Sequence, residues 1–434
     1  MRLRRLIVWT CLSWLATPGI VKAGVIVVDP GGGPGAALLQ AALLDAKDGE
    51  IVLLRDGQYF LGENEAYQLE GKGLTLCSDE GARGLLLPGL RISNVPAERT
   101  VVVRGLTIGP PAYSMSGDGL PGLAIEDCAA TVWVEDCTLV GREGLAVGVF
   151  LPEYSAPAPG LRAVSSDAVV LQGCTVTGGK GNNGSNLFTL HFERSGANGL
   201  EAIDSSVVLD HCTVTGGNEG NPKFPFPPAP PFPQQGGGDG MQVQGSFVHC
   251  TGSTITGGGN SSNDWPDDFA GDGVEVLDAA SLVQQRDATF LAGTLVDQGV
   301  AGQALVAPAG TVIAMPAPAR AFTVSSPLRE GQLGTMAYDG EPGDLVLLLV
   351  SLQAGFAPLP SRQGVAVAGL NPLLFLLGLG QADGAGQLTI PFVMPAIPSG
   401  VDGLTIEMQA AAKGGPGGAT LEAASALVWL DASL

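Results

Sequence analysis

One short phrase returns along this chain at nearly constant intervals. It reads EDCTLVG at Glu135–Gly141, QGCTVTGG at Gln172–Gly179, DHCTVTGG at Asp210–Gly217 and GSTITGGG at Gly252–Gly259, with a fainter copy, DATFLAG, at Asp287–Gly293. The equivalent positions Cys137, Cys174, Cys212, Ser253 and Ala288 are separated by 37, 38, 41 and 35 residues. Self-similarity with such a period means stacked supersecondary units, because no single unit can bury its own apolar face.

Between the copies, runs rich in Val, Leu, Ile and Thr alternate with glycines, an all-β pattern with turns at regular spacing. Period-2 alternation assigns faces within a coil. In the coil opening at Gly199, Val207, Leu209, Cys212 and Val214 point inward, and Glu201, Asp210, Thr213 and Thr215 point outward. The phase slips once between Leu209 and Cys212, which places a bend at Asp210-His211. Three of the cysteines share one repeat position, so a buried file of small apolar side chains accounts for them better than a disulfide framework does.

The segment Ala36–Ala46 (AALLQAALLDA) reads as a helix, followed by the strand-like DGEIVLLRDGQYFL. This helix-then-strand phrase, with the coils behind it, resembles the right-handed parallel β-helix (pectate-lyase-like) superfamily over about Gly24 to Gly310. The resemblance implies parallel coils about 4.8 Å apart, closed by the helix as an N-terminal cap. From Ala321 onward the pattern becomes six apolar runs between Gly/Pro turns, from DLVLLLVSLQ to EAASALVWL, which suggests a β-sandwich. It resembles the small C-terminal sandwich modules of secreted bacterial repeat proteins. The expected fold is therefore all-β, with a capped parallel β-helix over 24–310 and a small antiparallel sandwich over 321–434.

Residues 1–23 read as an export signal: Arg2, Arg4 and Arg5, an apolar stretch from Leu6 to Ala16, then Val21-Lys22-Ala23. No further segment is expected to span a membrane, because Asn371-Pro372 and several glycines break the uncharged run Gln363–Ala382 into strands. The formal net charge is −21. Such a surface repels nucleic-acid phosphates, and it repels an acidic polysaccharide unless divalent cations intervene.

Four insertions, Arg142–Pro159, Lys180–Asn198, Asn218–Asp239 and Asn260–Asp272, enter at one corner of the coil and so gather on one side. Asp239 and Asp272 each end an insertion, one coil apart, with Asn198 in the equivalent place before them. Two carboxylates so placed could share a proton in acid/base catalysis, or bind Ca2+ together with Asp268. Asp-Gly is also an ordinary turn dipeptide, and that is the favoured reading. The insertions also supply His191 and Arg194 as weak catalytic candidates. Trp265, Tyr154, Asp264, Asp267 and Asp268 are candidates for stacking on a sugar and reading its hydroxyls. His211 and His249 are read as surface residues.

Against the resemblance, Asp267-Asp268 is present, but no His is followed by Gly and no Arg-Ile-Lys occurs, so the polygalacturonase pattern is incomplete. The Arg or Lys base of the pectate lyase branch would have to come from Arg142, Lys180, Arg194 or Lys223. Three functions stay open: an exported protein binding polysaccharide or another cell-surface component through its loop side, a polysaccharide lyase or glycoside hydrolase, and a structural or adhesive surface protein. The first is favoured.

Overall fold

Each coil contributes three short strands, and each strand pairs in register with its counterpart one coil on. In the coil opening at Gly199 these strands are Leu200–Ile203, Ser206–Asp210 and Thr213–Thr215. Among the described residues their stacking gives parallel sheets of eight, ten and eight strands, named sheets I, II and III in that order. The computed structural model describes residues 23–30, 35–62, 65–109, 120–147, 153–181, 195–220, 236–260, 269–295, 300–316, 318–359, 364–369, 373–414 and 419–434. The winding is that of a right-handed parallel β-helix.

The corners are set by backbone conformation. Between sheets I and II, Asn94, Asp127, Ser165, Asp204 and Gly245 have positive φ; between sheets II and III, Gly105, Asp136, Gly173, His211, Gly252 and Asp287 do. Asn, Asp and Gly tolerate this left-handed region best, which explains most of the choices. One left-handed residue turns the chain and shifts the alternation by one, so the phase slip at Asp210-His211 is the corner itself. Past it, Val207, Leu209, Cys212 and Val214 are all buried in one continuous core.

Polar files stitch the interior. Cys137, Cys174 and Cys212 aim Sγ at the carbonyl two residues earlier, at 3.2, 3.3 and 3.4 Å, and Ser253 Oγ continues the row at 3.0 Å. At the other corner the amides of Cys128, Ser166, Ser205 and Ser246 donate to the hydroxyls of Ser166, Ser205, Ser246 and Ser281, each one coil on. The six cysteines of the described residues are buried and free.

The helix Gly35–Asp45 covers the first coils with Leu39 and Leu43, both 0% exposed. Lys72 Nζ donates to the carbonyls of Leu43, Leu44 and Ala46 at 3.1, 2.6 and 2.8 Å, supplying cationic partners for the helix C-terminus. Among the described residues no helix is long and apolar enough to cross a membrane.

The C-terminal sandwich is built from a three-stranded and a five-stranded sheet. Phe322, Met336, Tyr338 and Phe392 of the first meet Leu348, Ile406, Met408, Leu427 and Trp429 of the second. The sandwich lies flat against the outside of sheet II. Val102, Trp133, Val170 and Val208 pack on Ala354, Val365, Val367, Ala424 and Ala426, while Ile51, Leu53 and Cys77 pack on Val428 and Leu430. Glu135 accepts the amide of Ala426 at 2.7 Å and pairs with Arg104, which donates to Ala426 O at 2.8 Å.

This coverage corrects one expectation, that His249 lies at the surface. Asp210 stands on the outer side of its coil yet is 4% exposed, and His249 is 2% exposed within the strand Phe247–Thr251 instead of lying on the surface. His249 follows Val170 and Val208 in the same outward column of sheet II. Burial, then the neighbouring Arg286, pushes its imidazole down to about 4. His211 does sit at the corner, with Nδ1 2.7 Å from Asp210 Oδ1.

A second correction concerns the Gly-Gly that ends each repeat phrase. These glycines are not turns: none of Gly178, Gly179, Gly216, Gly217, Gly257 and Gly258 has positive φ. They begin outgoing arms that interleave with the returning arms of the insertions. Gly179 N donates to Ala158 O, Ala197 N to Gly179 O, Gly217 N to Ala197 O, Gly238 N to Gly217 O and Gly258 N to Gly238 O, all at 2.7–2.9 Å. Each arm also bonds along the stack, for example Gly178 N to Thr215 O. The result is a thin two-layer slab with no room for side chains between the layers. A Cβ on Gly216 would meet Gly238 O of the returning arm at 2.0 Å, and one on Gly258 would meet Gly217 O of the neighbouring arm in its own layer at 2.0 Å.

Two outcomes test this packing. Gly258→Ala should destabilise the protein by about 3 kcal/mol or more, whereas Gly378→Ala, where a Cβ meets nothing within 4 Å, should change the unfolding free energy by less than about 0.5 kcal/mol, both measured by chemical denaturation. Glu407 is 2% exposed on the strand Gly403–Lys413, its Oε2 has no hydrogen-bond partner among the described residues, and burial pushes its carboxyl up to about 8. The fold thus favours the neutral form. That contribution is complete below the ordinary value of 4.5 and is lost as pH rises through 8. Glu407→Gln should flatten the fall in melting temperature between pH 5 and 9; an unchanged pH profile would refute the assignment.

Candidate functional site

The loop-bearing margin of sheet I collects the polar groups. Three residues that end insertions form an axial row in which each side chain holds the backbone of the next coil. Asn198 Oδ1 accepts from Asp239 N at 2.9 Å, Asp239 Oδ1 from Asp272 N at 2.8 Å, and Asp272 Oδ1 from Gln303 N. Asp239 and Asp272 are therefore coil neighbours, as the repeat spacing requires. They are not left-handed turn residues, and neither are Gly240 and Gly273. Glycine is needed there for space: a Cβ on Gly240 would meet Gly273 O at 2.6 Å and Ile255 Cγ2 at 2.8 Å.

A second row runs beside the first on the outer face of sheet I. Strand register aligns Arg162, Glu201, Gln242 and Glu275. Arg162 Nε lies 3.6 Å from Glu201 Oε2, Asn198 Nδ2 donates to Glu201 Oε1 at 3.2 Å, and Gln242 Nε2 donates to Glu275 Oε2 at 2.8 Å. Burial pushes the carboxyl of Asp239 up to about 7, the amide of Asp272 opposes this, and the Glu275 carboxylate beside it adds to the rise. Burial also raises Glu201, against the pull of Arg162. The margin thus sets a carboxyl raised toward neutrality, Asp239, beside a row of further hydrogen-bonding groups.

Glu201, Gln242, Glu275 and Arg162 were absent from the sequence-based set. Their signal was available, since all four occupy the second position of the strand that opens a coil: LRAV, LEAI, MQVQ and VEV. Of the other predicted residues, Tyr154 lies on the strand Glu153–Ser155, which pairs with Leu145–Val147 in the first insertion. His191, Arg194, Asp264, Trp265, Asp267 and Asp268 lie outside the described residues. Among those described, no group of three or more His, Cys, Asp or Glu side chains could hold a metal ion. Arg142, one of the basic residues of the insertions, is 3% exposed.

No protein-family model matches the chain, and no curated protein sequence matches it. Among solved structures it is similar to pectate lyase Pel9A, at 11% identity over 69% of this chain and 84% of that one, with a TM-score of 0.31. It is also similar to a PL6 alginate lyase in complex with a trisaccharide, at 10% identity over 68% and 80%, TM-score 0.20. A third is the A-module of the Azotobacter vinelandii mannuronan C-5 epimerase AlgE4, at 13% over 69% and 98%, TM-score 0.19. At these values the likeness carries no argument about activity. The three stacked sheets define the class: this chain is a parallel β-helix protein.

Asparagine at 198 already does with an amide what Asp239 does with a carboxyl. Asp239→Asn should therefore keep the row intact while removing the ionisation. Because the fold raises this carboxyl from 3.8 to about 7, its stabilising share is complete below 3.8 and lost as pH rises through 7. The variant should match the parent near pH 4 and exceed its stability at pH 8 by on the order of 2 kcal/mol, measured by chemical denaturation. Equal stability at pH 8 would contradict the raised value.

Proposed function

We propose that this protein is an exported β-helix that binds a polysaccharide along the outer face of sheet I, at the margin from which the insertions project. One observation carries the reading: two adjacent axial rows, Asn198–Asp239–Asp272 and Arg162–Glu201–Gln242–Glu275, offer hydrogen-bonding groups at every coil. A linear polymer laid parallel to the axis would meet the same kind of partner at each step of about 4.8 Å. The insertions that leave this margin carry Trp265, Tyr154, His191 and Arg194, the groups that would stack on or read the sugar. Asp264, Asp267 and Asp268 would add hydroxyl acceptors, and Asp268 with Asp239 and Asp272 would be the oxygen ligands if Ca2+ takes part.

A hydrolase is the second reading. It is favoured by one feature, the half-buried Asp239 carboxyl beside Glu275, which would retain a proton near neutral pH and could give it to a leaving oxygen.

Titration against a panel of soluble glycans, with and without Ca2+, tests binding. Gln242→Ala should weaken the retained glycan by about tenfold, the loss of one to two hydrogen bonds, without altering the melting temperature. Failure of every glycan to bind at millimolar concentration would leave the structural or adhesive role as the better reading. Release of reducing or unsaturated ends, abolished in Asp239→Asn, would establish the hydrolytic or lyase alternative.

A further inference from the structure

Sheet III bears no part of the rows just described. Its eight strands, GQYF, GLLL, LTI, TLV, TVT, TVT, TIT and TFL, contain no charged residue, in a chain with 42 acidic and 21 basic ones. The inward positions are apolar, fully buried at Leu139, Val176, Val214 and Ile255 and partly buried at Phe290. The outward positions are a different matter.

Strand register puts Thr107, Thr138, Thr175, Thr213, Thr254 and Thr289 in one axial column across six consecutive coils. Thr177, Thr215 and Thr256 form a second column beside its centre, two residues further along each strand. Thr175, Thr213 and Thr289 are exposed and the others half-buried. The sandwich packs on sheet II and leaves this face open. General β propensity would accept Val, Ile, Tyr or Thr at such sites. It does not account for the same hydroxyl at one site in six coils, when the outward column of sheet I changes between Arg, Ala, Glu and Gln over the same coils.

We propose that the threonine columns of sheet III bind ice, or water ordered as at an ice surface. The parallel stack spaces equivalent residues about 4.8 Å apart along the axis, and residues i and i+2 about 6.7 Å apart across it. A grid of these dimensions is close to the oxygen spacing on a prism face of hexagonal ice. Each threonine presents a hydroxyl that can donate and accept, beside a methyl that restricts the orientation of its first-shell water. The absence of charge matters equally. A charged side chain would hold its own hydration shell and would have to lose it against a neutral lattice. The in-register hydrogen bonds hold the array rigid before contact, so little ordering remains to be done on binding.

Ice grown slowly from a solution of the fluorescently labelled full chain tests this directly. The protein should be enriched in the ice, and grain coarsening in a frozen sucrose suspension should slow. Thr213→Lys and Thr215→Lys, one in each column, should lower the enrichment by about tenfold or more through the cost of desolvating the ammonium. Arg162→Ala on sheet I should leave it unchanged. Circular dichroism and melting curves matching the parent establish that the lysine variants are folded. Rejection of the folded parent from ice would overturn the proposal, as would equal enrichment of the lysine variants. Adsorption to crystalline cellulose in place of ice would assign the face to a flat glycan surface instead, and would also overturn it.

Discussion

Everything in this structure depends on the hydrogen-bonded register between successive coils. Because each strand pairs residue for residue with its counterpart, any side chain chosen once per repeat becomes a continuous axial row. Rows of aliphatic side chains make the core, and the file Cys137–Cys174–Cys212–Ser253 lines one corner of it. The same rule acting on outward positions gives the carboxylate and amide rows of sheet I and the threonine columns of sheet III. Where equivalent residues lack side chains, the rule lets two layers of backbone close on each other, as the glycine arms do.

The sandwich divides the solenoid surface by covering sheet II. This docking combines apolar contact with an ion pair, Arg104–Glu135, whose members are 7% and 2% exposed. Such a pair is tolerated there because further partners surround it: Glu135 also accepts from Ser425 Oγ and the Ala426 amide, and Arg104 also donates to Asp136 and to the carbonyls of Ala426 and Val324. Sheets I and III are left uncovered by it. They differ sharply in chemistry: one is charged and hydrogen-bonding, the other uncharged and regular. The glycine slab rises at the end of each sheet III strand and returns at the start of the next sheet I strand, so it forms a wall between the two faces.

Much of the architecture was legible in the residues. The helix expected over Ala36–Ala46 is Gly35–Asp45, and the uncharged run Gln363–Ala382 resolves into the strands Gly364–Ala368 and Leu373–Gln381. The pairing of Asp239 with Asp272 followed from repeat spacing alone. Less of the site was legible. Glu201, Gln242 and Glu275 belong to it through their places at the second position of an opening strand, a signal visible only when the coils are aligned with one another. The Asp-Gly dipeptides misled because the same two residues serve turns and close packing, and only φ separates the two uses.

The sequence by itself determined the winding: periodic aliphatic residues with glycine and Asp/Asn corners leave a stacked parallel coil as the arrangement that buries every apolar face. It also carried a hint of the covered sheet, since TVWVE, AVVLQ and SVVLD place apolar residues on both faces. What covers that face, and hence which surfaces remain free, was decided only in three dimensions. The reason is physical. Register within a repeat is a local, repeated preference, whereas the docking of Val365, Ala424 and Ala426 against Trp133 and Val170 joins residues hundreds of positions apart and has no period for a sequence pattern to reveal.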